Sequence, residues 1–506
     1  MPRPAVIAIA VLGIVALVAS TTFALVRSTQ LRASQATIAA LQSELAERGG
    51  GQPDGDAAGD ASTDEQGGGT DGLLDGLFDG EGGLGDLFSE DGGLGGLLGD
   101  DLDQLARCIQ PAGQPGSRDV PDGEAEEQIT EITDTVEALR DLEFSEPPTP
   151  SFLDDQQISE RLTDEIGEEY DAETAEIDRR TLAALGAVPA DVDLVALQTE
   201  LLTTQVAGFY DPDTDDLVVR GSPDDGLEPA EQTTLAHELQ HALADEAFEL
   251  PVDVTEDVDE GDAALAALSL VEGDATLTQQ QFTVAGLTLA EQLGLNVDPG
   301  ALAAQEQLAE VPHYLAQSLQ FPYLAGLRFA CARYLDGGWE AVNAAYGELP
   351  TTTAEILDPD RYGEDAVDPA DPGDPGGEWR RQRATTIGAA DLLWLFEAPG
   401  DDTERALDDP RDAALAWTGG ELTVWTDGDD TAVGVALTQQ EHDGPLCDAV
   451  TTWYERAFPE ATDAPTRRTE RLVREGPQQT AVVTCDGVDV RLGIASDLST
   501  ARALAG

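Results

Sequence analysis

The chain has 506 residues and a formal charge of −75, from 101 acidic against 26 basic residues, every one of the latter Arg. That balance excludes nucleic acid as the default partner, because binding a polyanion needs a basic footprint, and an anionic membrane surface would repel it. The 41% hydrophobic content still suffices for at least one sizeable core.

Residues 5–26 are apolar apart from Ser20, Thr21 and Thr22. At about 1.5 Å per residue such a helix spans a roughly 30 Å hydrocarbon core. Residues 1–28 therefore read as a transmembrane signal anchor that places the bulk of the chain outside the cytoplasm. Secretion after cleavage of a signal peptide is the alternative. Leu31, Ile38 and Leu45 recur every seven residues, so residues 29–48 predict a juxtamembrane helix or short coiled coil capable of weak self-association. Residues 49–103 are rich in Gly and Asp without a basic residue, the composition of a disordered, self-repelling linker. Within it Leu74, Leu84 and Leu94 repeat every ten residues, as do Leu77–Phe78, Leu87–Phe88 and Leu97–Leu98. The nine-residue pattern of calcium-binding repeats is absent.

Globular composition begins near residue 104. Residues 124–142 predict an acidic amphipathic helix with Ile129, Ile132, Val136 and Leu139 on one face, and helical patterns continue over 158–166 and 172–185. Residues 206–210 and 217–220 flank the turn-rich Asp211-Pro212-Asp213-Thr214-Asp215 and predict a β-hairpin. The next helix reads TTLAHELQHALADE over 233–246. His237 and His241 stand at i and i+4, on one helix face, where two imidazoles can hold one metal ion. Glu238 follows the first of them and suits a general base acting on water. A third ligand is needed. Asp245 and Glu246 occupy the following turn, so the metzincin pattern with a third His fails. A later helix over 262–280 offers Glu272, thirty-one residues after His241 and preceded by the apolar Leu265, Leu268, Leu270 and Val271. A carboxylate carried into a core needs a metal or an ion partner.

The run GFYDPDTDDLVV, TTLAHELQHAL, ALSLVEGDAT and then FPYLAGLRFACARYLDGGWEAVNAAYGELPTTTAEILDPDRY resembles membrane-anchored or secreted bacterial metallopeptidases of gluzincin type. The resemblance covers residues 188–362 and, more weakly, the C-terminal region. It implies a zincin-like α+β domain, mostly helical with a small sheet, in which His237, His241 and Glu272 bind Zn2+ and Glu238 is the general base. A peptide or protein would be the substrate. Relatives tend to carry a His where this chain has Asp358, which bears on activity; a catalytically inactive scaffold serving interaction is the alternative reading.

Other site candidates rest on residue type. Tyr323 and His313 could stabilise an oxyanion, and Asp274 or Asp262 could hold a ligand imidazole from behind. The strand over 206–210 could pair with an extended peptide. His442 has no evident role. Residues 104–375 thus form the expected catalytic domain, with residues 104–150 able to cover its cleft. Residues 376–506 form a small α+β unit: a helix over 386–396, strands over 421–426, 432–437, 480–484 and 488–494, and a helix over 447–458. No cysteine lies in a CxxC, which argues against a thiolate metal site. Cys447 and Cys485 share the C-terminal region and are the expected pair. Cys108–Cys331 follows by elimination, four free thiols being the alternative.

Overall fold

The computed structural model describes residues 102–110, 124–170, 172–223, 226–295, 299–369, 372–442 and 444–506. The expected anchor, the juxtamembrane helix and nearly all of the linker lie outside them. Among the described residues no helix is long and apolar enough to cross a membrane.

The chain is α+β. α1 (Leu102–Cys108) and α2 (Ala125–Arg140) are followed by β1 (Ser151–Leu153), α3 (Asp155–Glu169), α4 (Ala172–Ala184) and α5 (Leu194–Gln205). The hairpin of β2 (Gly208–Asp211) and β3 (Asp216–Arg220) leads into α6 (Pro229–Phe248). α7 (Val252–Thr255), α8 (Gly261–Gly286), α9 (Leu289–Leu295), α10 (Pro299–Leu308), α11 (His313–Gly337), α12 (Trp339–Ala345) and α13 (Thr353–Leu357) complete the helical part. α2 buries Ile132, Val136 and Leu139 in one core cluster with Leu235, Leu239 and Leu243 of α6. The small sheet has the order β1-β3-β2, with β1 parallel and β2 antiparallel to β3. β2 is therefore an edge strand of the hairpin that the turn-bounded run predicts.

The C-terminal part comprises β4 (Arg380–Thr386), α14 (Ala389–Glu397), α15 (Pro410–Leu415), β5 (Trp417–Asp427), β6 (Asp430–Gln439), α16 (Leu446–Ala457), β7 (Thr462–Asp463), β8 (Glu470–Glu475), β9 (Thr480–Asp486), β10 (Asp489–Ala495) and α17 (Leu498–Leu504). Its strands form one antiparallel sheet in the order β4-β5-β6-β10-β9-β8-β7. The helix expected over 386–396 begins only at Ala389. The arginine-rich segment before it is β4, which takes its extended form from pairing with β5. Cys108–Cys331 and Cys447–Cys485 are both bonded.

α8 and α11 cross at backbone contact. A Cβ on Gly273 would lie 2.1 Å from the carbonyl oxygen of Gly326, and one on Gly326 would lie 2.1 Å from that of Ser269. No side chain fits there, so the two glycines set how closely the helices approach. Gly326→Ala should lower stability by about 1–3 kcal/mol or more, as overpacking does, read from the urea denaturation midpoint. Gly294→Ala, on an exposed helix position where an added Cβ meets nothing within 4 Å, should change stability by no more than about 1 kcal/mol in either direction.

Candidate metal centre

α6 opens with Pro229 in its first turn and a capping box between Glu228 and Glu231. From Gln232 to Ala244 every residue is buried, so the helix runs through the core and carries its histidines with it. α8 is buried on nearly all sides from Ala264 to Thr283 and brings Glu272 to α6. His237 Nε2 lies 3.0 Å from His241 Nε2 and 3.2 Å from Glu272 Oε2. His241 Nε2 lies 3.5 Å from the same oxygen. Ligand atoms on a tetrahedral ion with bonds of about 2.0–2.2 Å are roughly 3.3–3.6 Å apart. The spacing therefore fits one small ion, and the two nitrogens and one carboxylate oxygen are a donor set that suits zinc. Glu272 is fully buried, and its Oε1 has no hydrogen-bond partner. Such an oxygen fits a cation better than a plain core position.

The other expected site residues divide. Glu238 is buried beside the triad, its Oε2 without a hydrogen-bond partner. β2 lies directly over it: a Cβ on Gly208 would meet Thr234 Cγ2 at 2.7 Å and Glu238 Cγ at 3.2 Å. The Tyr210 hydroxyl donates to Asp245 on α6 at 2.9 Å, pinning the strand to the helix. Tyr323 is fully buried on α11 with its ring stacked on His237, centroids 6.2 Å apart. His313 stands ten residues before Tyr323 on the same helix, about 15 Å away along its axis, and its Nε2 meets Glu397 at 3.1 Å instead. Asp262 is ten residues before Glu272 and accepts from the Thr353 backbone and hydroxyl, so it holds no imidazole. Asp358 accepts from the Asp360 backbone and caps a local turn. His442 packs at Gly487, in the turn between β9 and β10.

Asp274 does not hold an imidazole by hydrogen bonding either. Its Oδ2 accepts from Arg140 at 3.0 Å, Gln240 at 2.9 Å and the Tyr346 hydroxyl at 3.0 Å. Arg140 and Asp274 are both fully buried; Arg140 also donates to Asn343 at 2.8 Å and sits 4.1 Å over the Trp339 ring. This network next to the ligands has a single sequence signal, an Arg ending an otherwise acidic helix. A cavity of about 360 Å³ lies elsewhere, lined by residues such as Leu182, Leu197, Leu315 and Asp391 and by none of the ligands.

Burial pushes Glu238 up to about 8, reinforced by Glu272 and opposed by His241 and the Tyr210 backbone. Burial opposes the charge of His241, but Glu272, Glu238 and Asp274 outweigh it and raise its pKa to about 9. His237 is pushed below 6.5 by burial, with the His241 charge adding to the effect and Glu272 and Gln279 working against it. Burial also works against the charge of Glu272, yet the two imidazoles prevail and hold it below its ordinary range.

No protein-family model, characterised sequence or solved structure matches this chain.

Two measurements test the electrostatics. Between pH 6.5 and 8 the folded chain retains protons on His241 and Glu238 that the unfolded chain releases. The stability they confer is complete at low pH and is lost as pH rises. Chelator-treated protein should therefore melt at progressively lower temperature from pH 6.5 to 8, and excess zinc at pH 8 should reverse the loss. Arg140→Met should destabilise the fold by about 3–5 kcal/mol, because it leaves Asp274 charged and buried without its cation; a denaturation midpoint unchanged from wild type would contradict this.

Proposed function

We propose that this chain is a zinc-dependent metallopeptidase of gluzincin type with a zincin-like catalytic domain. The reading rests above all on the convergence of His237, His241 and Glu272 at tetrahedral ligand spacing with Glu238 next to the first of them. Zinc, when bound, supplies a Lewis acid that polarises the scissile carbonyl and acidifies water. His237, His241 and Glu272 would hold the ion. Glu238 is the general base, and its unpartnered Oε2 is the atom that would take the proton. A cation beside Glu238 favours its ionised form, the form a base requires. Tyr323, packed on the His237 ring, is the candidate for oxyanion support.

The substrate would be a peptide or protein segment in extended form, added as a further strand to the outer edge of β2, which lies over Glu238. His241 is the most exposed member of the site, at 6%, so approach is from its side. We place the enzyme outside the cytoplasm, tethered by residues 1–28 or secreted; two disulfides accord with an oxidising compartment. The inactive-scaffold reading draws on Asp358, whose side chain is engaged in a turn rather than at the ligands.

Glu238→Gln decides between them. Zinc content should remain near one per chain, while hydrolysis of casein or a peptide library falls by about 10²–10⁴-fold, the usual contribution of a general base. Undiminished hydrolysis would refute the mechanism, and stoichiometric zinc without turnover in the wild type would favour the inactive scaffold.

A further inference from the structure

Beyond Glu272, α8 continues with polar side chains that the core encloses completely. Gln279 is one of them, fully buried and seven residues past Glu272. Two helical turns separate them, so both occupy the face turned to α6. The Gln279 amide Nε2 donates to the backbone carbonyl of Thr233 at 3.2 Å. Thr233 lies one turn before His237 on α6, and helical side chains lean back over the preceding turn. The Gln279 amide thus sits where the His237 ring comes down. Its orientation is not free: only the NH2 end can meet a carbonyl oxygen, which leaves Oε1 as the end available to the ring. Gln279 Oε1 and His237 Nδ1 are both buried, and neither has a hydrogen-bond partner. Nδ1 is the ring nitrogen not involved with His241 and Glu272, which both meet Nε2.

We propose that Gln279 is a positioning residue of the metal centre, its Oε1 accepting the Nδ1–H of His237 so that the Nε2 lone pair is presented to the ion. The proposal rests on the metal set of the preceding section but not on the reaction assigned to it. An acceptor opposite the metal-binding nitrogen fixes both tautomer and ring orientation. The choice of a neutral amide has a reason here. Glu238, Glu272 and Asp274 already place three buried carboxyl groups around two imidazoles. A fourth carboxylate would favour a protonated His237, which cannot bind metal. Glutamine supplies the acceptor without the charge.

Two experiments test this. In the metal-free wild type, long-range proton–nitrogen NMR of the imidazoles, simplified by there being only four histidines, should show His237 as the Nδ1–H tautomer. The Nε2–H tautomer would overturn the proposal without any variant being made. In chelator competition at pH 8, Gln279→Leu should bind zinc about 10–100-fold more weakly than wild type, the usual cost of losing such a partner, with unchanged circular dichroism. Gln279→Glu, which keeps the acceptor but adds the charge, should lose clearly less affinity than Gln279→Leu. A Gln279→Leu affinity equal to wild type, or an equal loss in both variants, would overturn it; the second result would mark Gln279 as a packing residue only. Zinc binding without peptide hydrolysis in the wild type would count against the peptidase reading alone. Failure of the wild type to take up zinc would defeat both.

Discussion

The site depends on how closely α8 and α11 approach at Gly273 and Gly326. Each glycine would place a Cβ about 2.1 Å from a backbone oxygen of the partner helix, so the crossing leaves no room for a side chain. Glu272 is the neighbour of one glycine, and Tyr323 is three residues from the other. A close crossing also excludes water from the residues around it, and Glu272, Asp274 and Tyr323 are all fully buried as a result. The low dielectric that follows makes each ionised group there expensive unless it is paired. The backbone contact is therefore what turns an ordinary helical acid into a carboxylate in need of a cation.

The charges around the two imidazoles can balance in two ways. Arg140 answers Asp274 directly, both fully buried. That leaves Glu272 and Glu238 against two histidines whose preferences are opposed: His237 is pushed toward neutrality and His241 toward charge. One imidazolium can offset Glu272, and Glu238 then has its pKa raised to about 8. A divalent ion would balance them differently, with both imidazoles neutral and both glutamates ionised. The Arg140–Asp274 pair holds its own charge in either case, with Gln240 and Tyr346 completing the carboxylate. Pairing of this kind costs desolvation, and here it separates the structural acid from the two that would face an ion.

Much of this is legible in the amino-acid sequence. The i, i+4 histidines sit on one helix face by geometry alone, and Glu272 stands out as an acid following an apolar run, where burial is to be expected. The hairpin announces itself through Asp211-Pro212-Asp213, and the C-terminal strands through alternation. What the sequence hides is of two kinds. Arg140 meets Asp274 across 134 residues, a pairing no local pattern encodes in a chain with so many acids. Gln279 carries no signal because glutamine is ordinarily a surface residue; only its burial and its anchor on Thr233 mark it. β4 is equally silent, since Arg380–Thr386 does not alternate and owes its form to β5. His313 and Asp262 suit the site by chemistry alone. Each lies ten residues along its helix from a residue at the site, a distance a side chain cannot span.

The donor set also bears on which ion the site would prefer. All four cysteines are bonded in disulfides, so the soft-metal sites that thiolates build are not an option. Calcium takes six to eight oxygen ligands, whereas the carboxyl groups adjoining the triad are those of Glu238 and of Asp274, whose Oδ2 is occupied by three donors. Magnesium keeps much of its water, which a site with every ligand buried would have to strip. Two imidazoles and one carboxylate at four-coordinate spacing suit an ion content with few, nitrogen-rich ligands. The −75 of the whole chain has little part in that choice. Charges on the solvated surface are screened within about 10 Å at ordinary ionic strength, and selectivity is left to the few groups that the α8–α11 crossing has taken out of water.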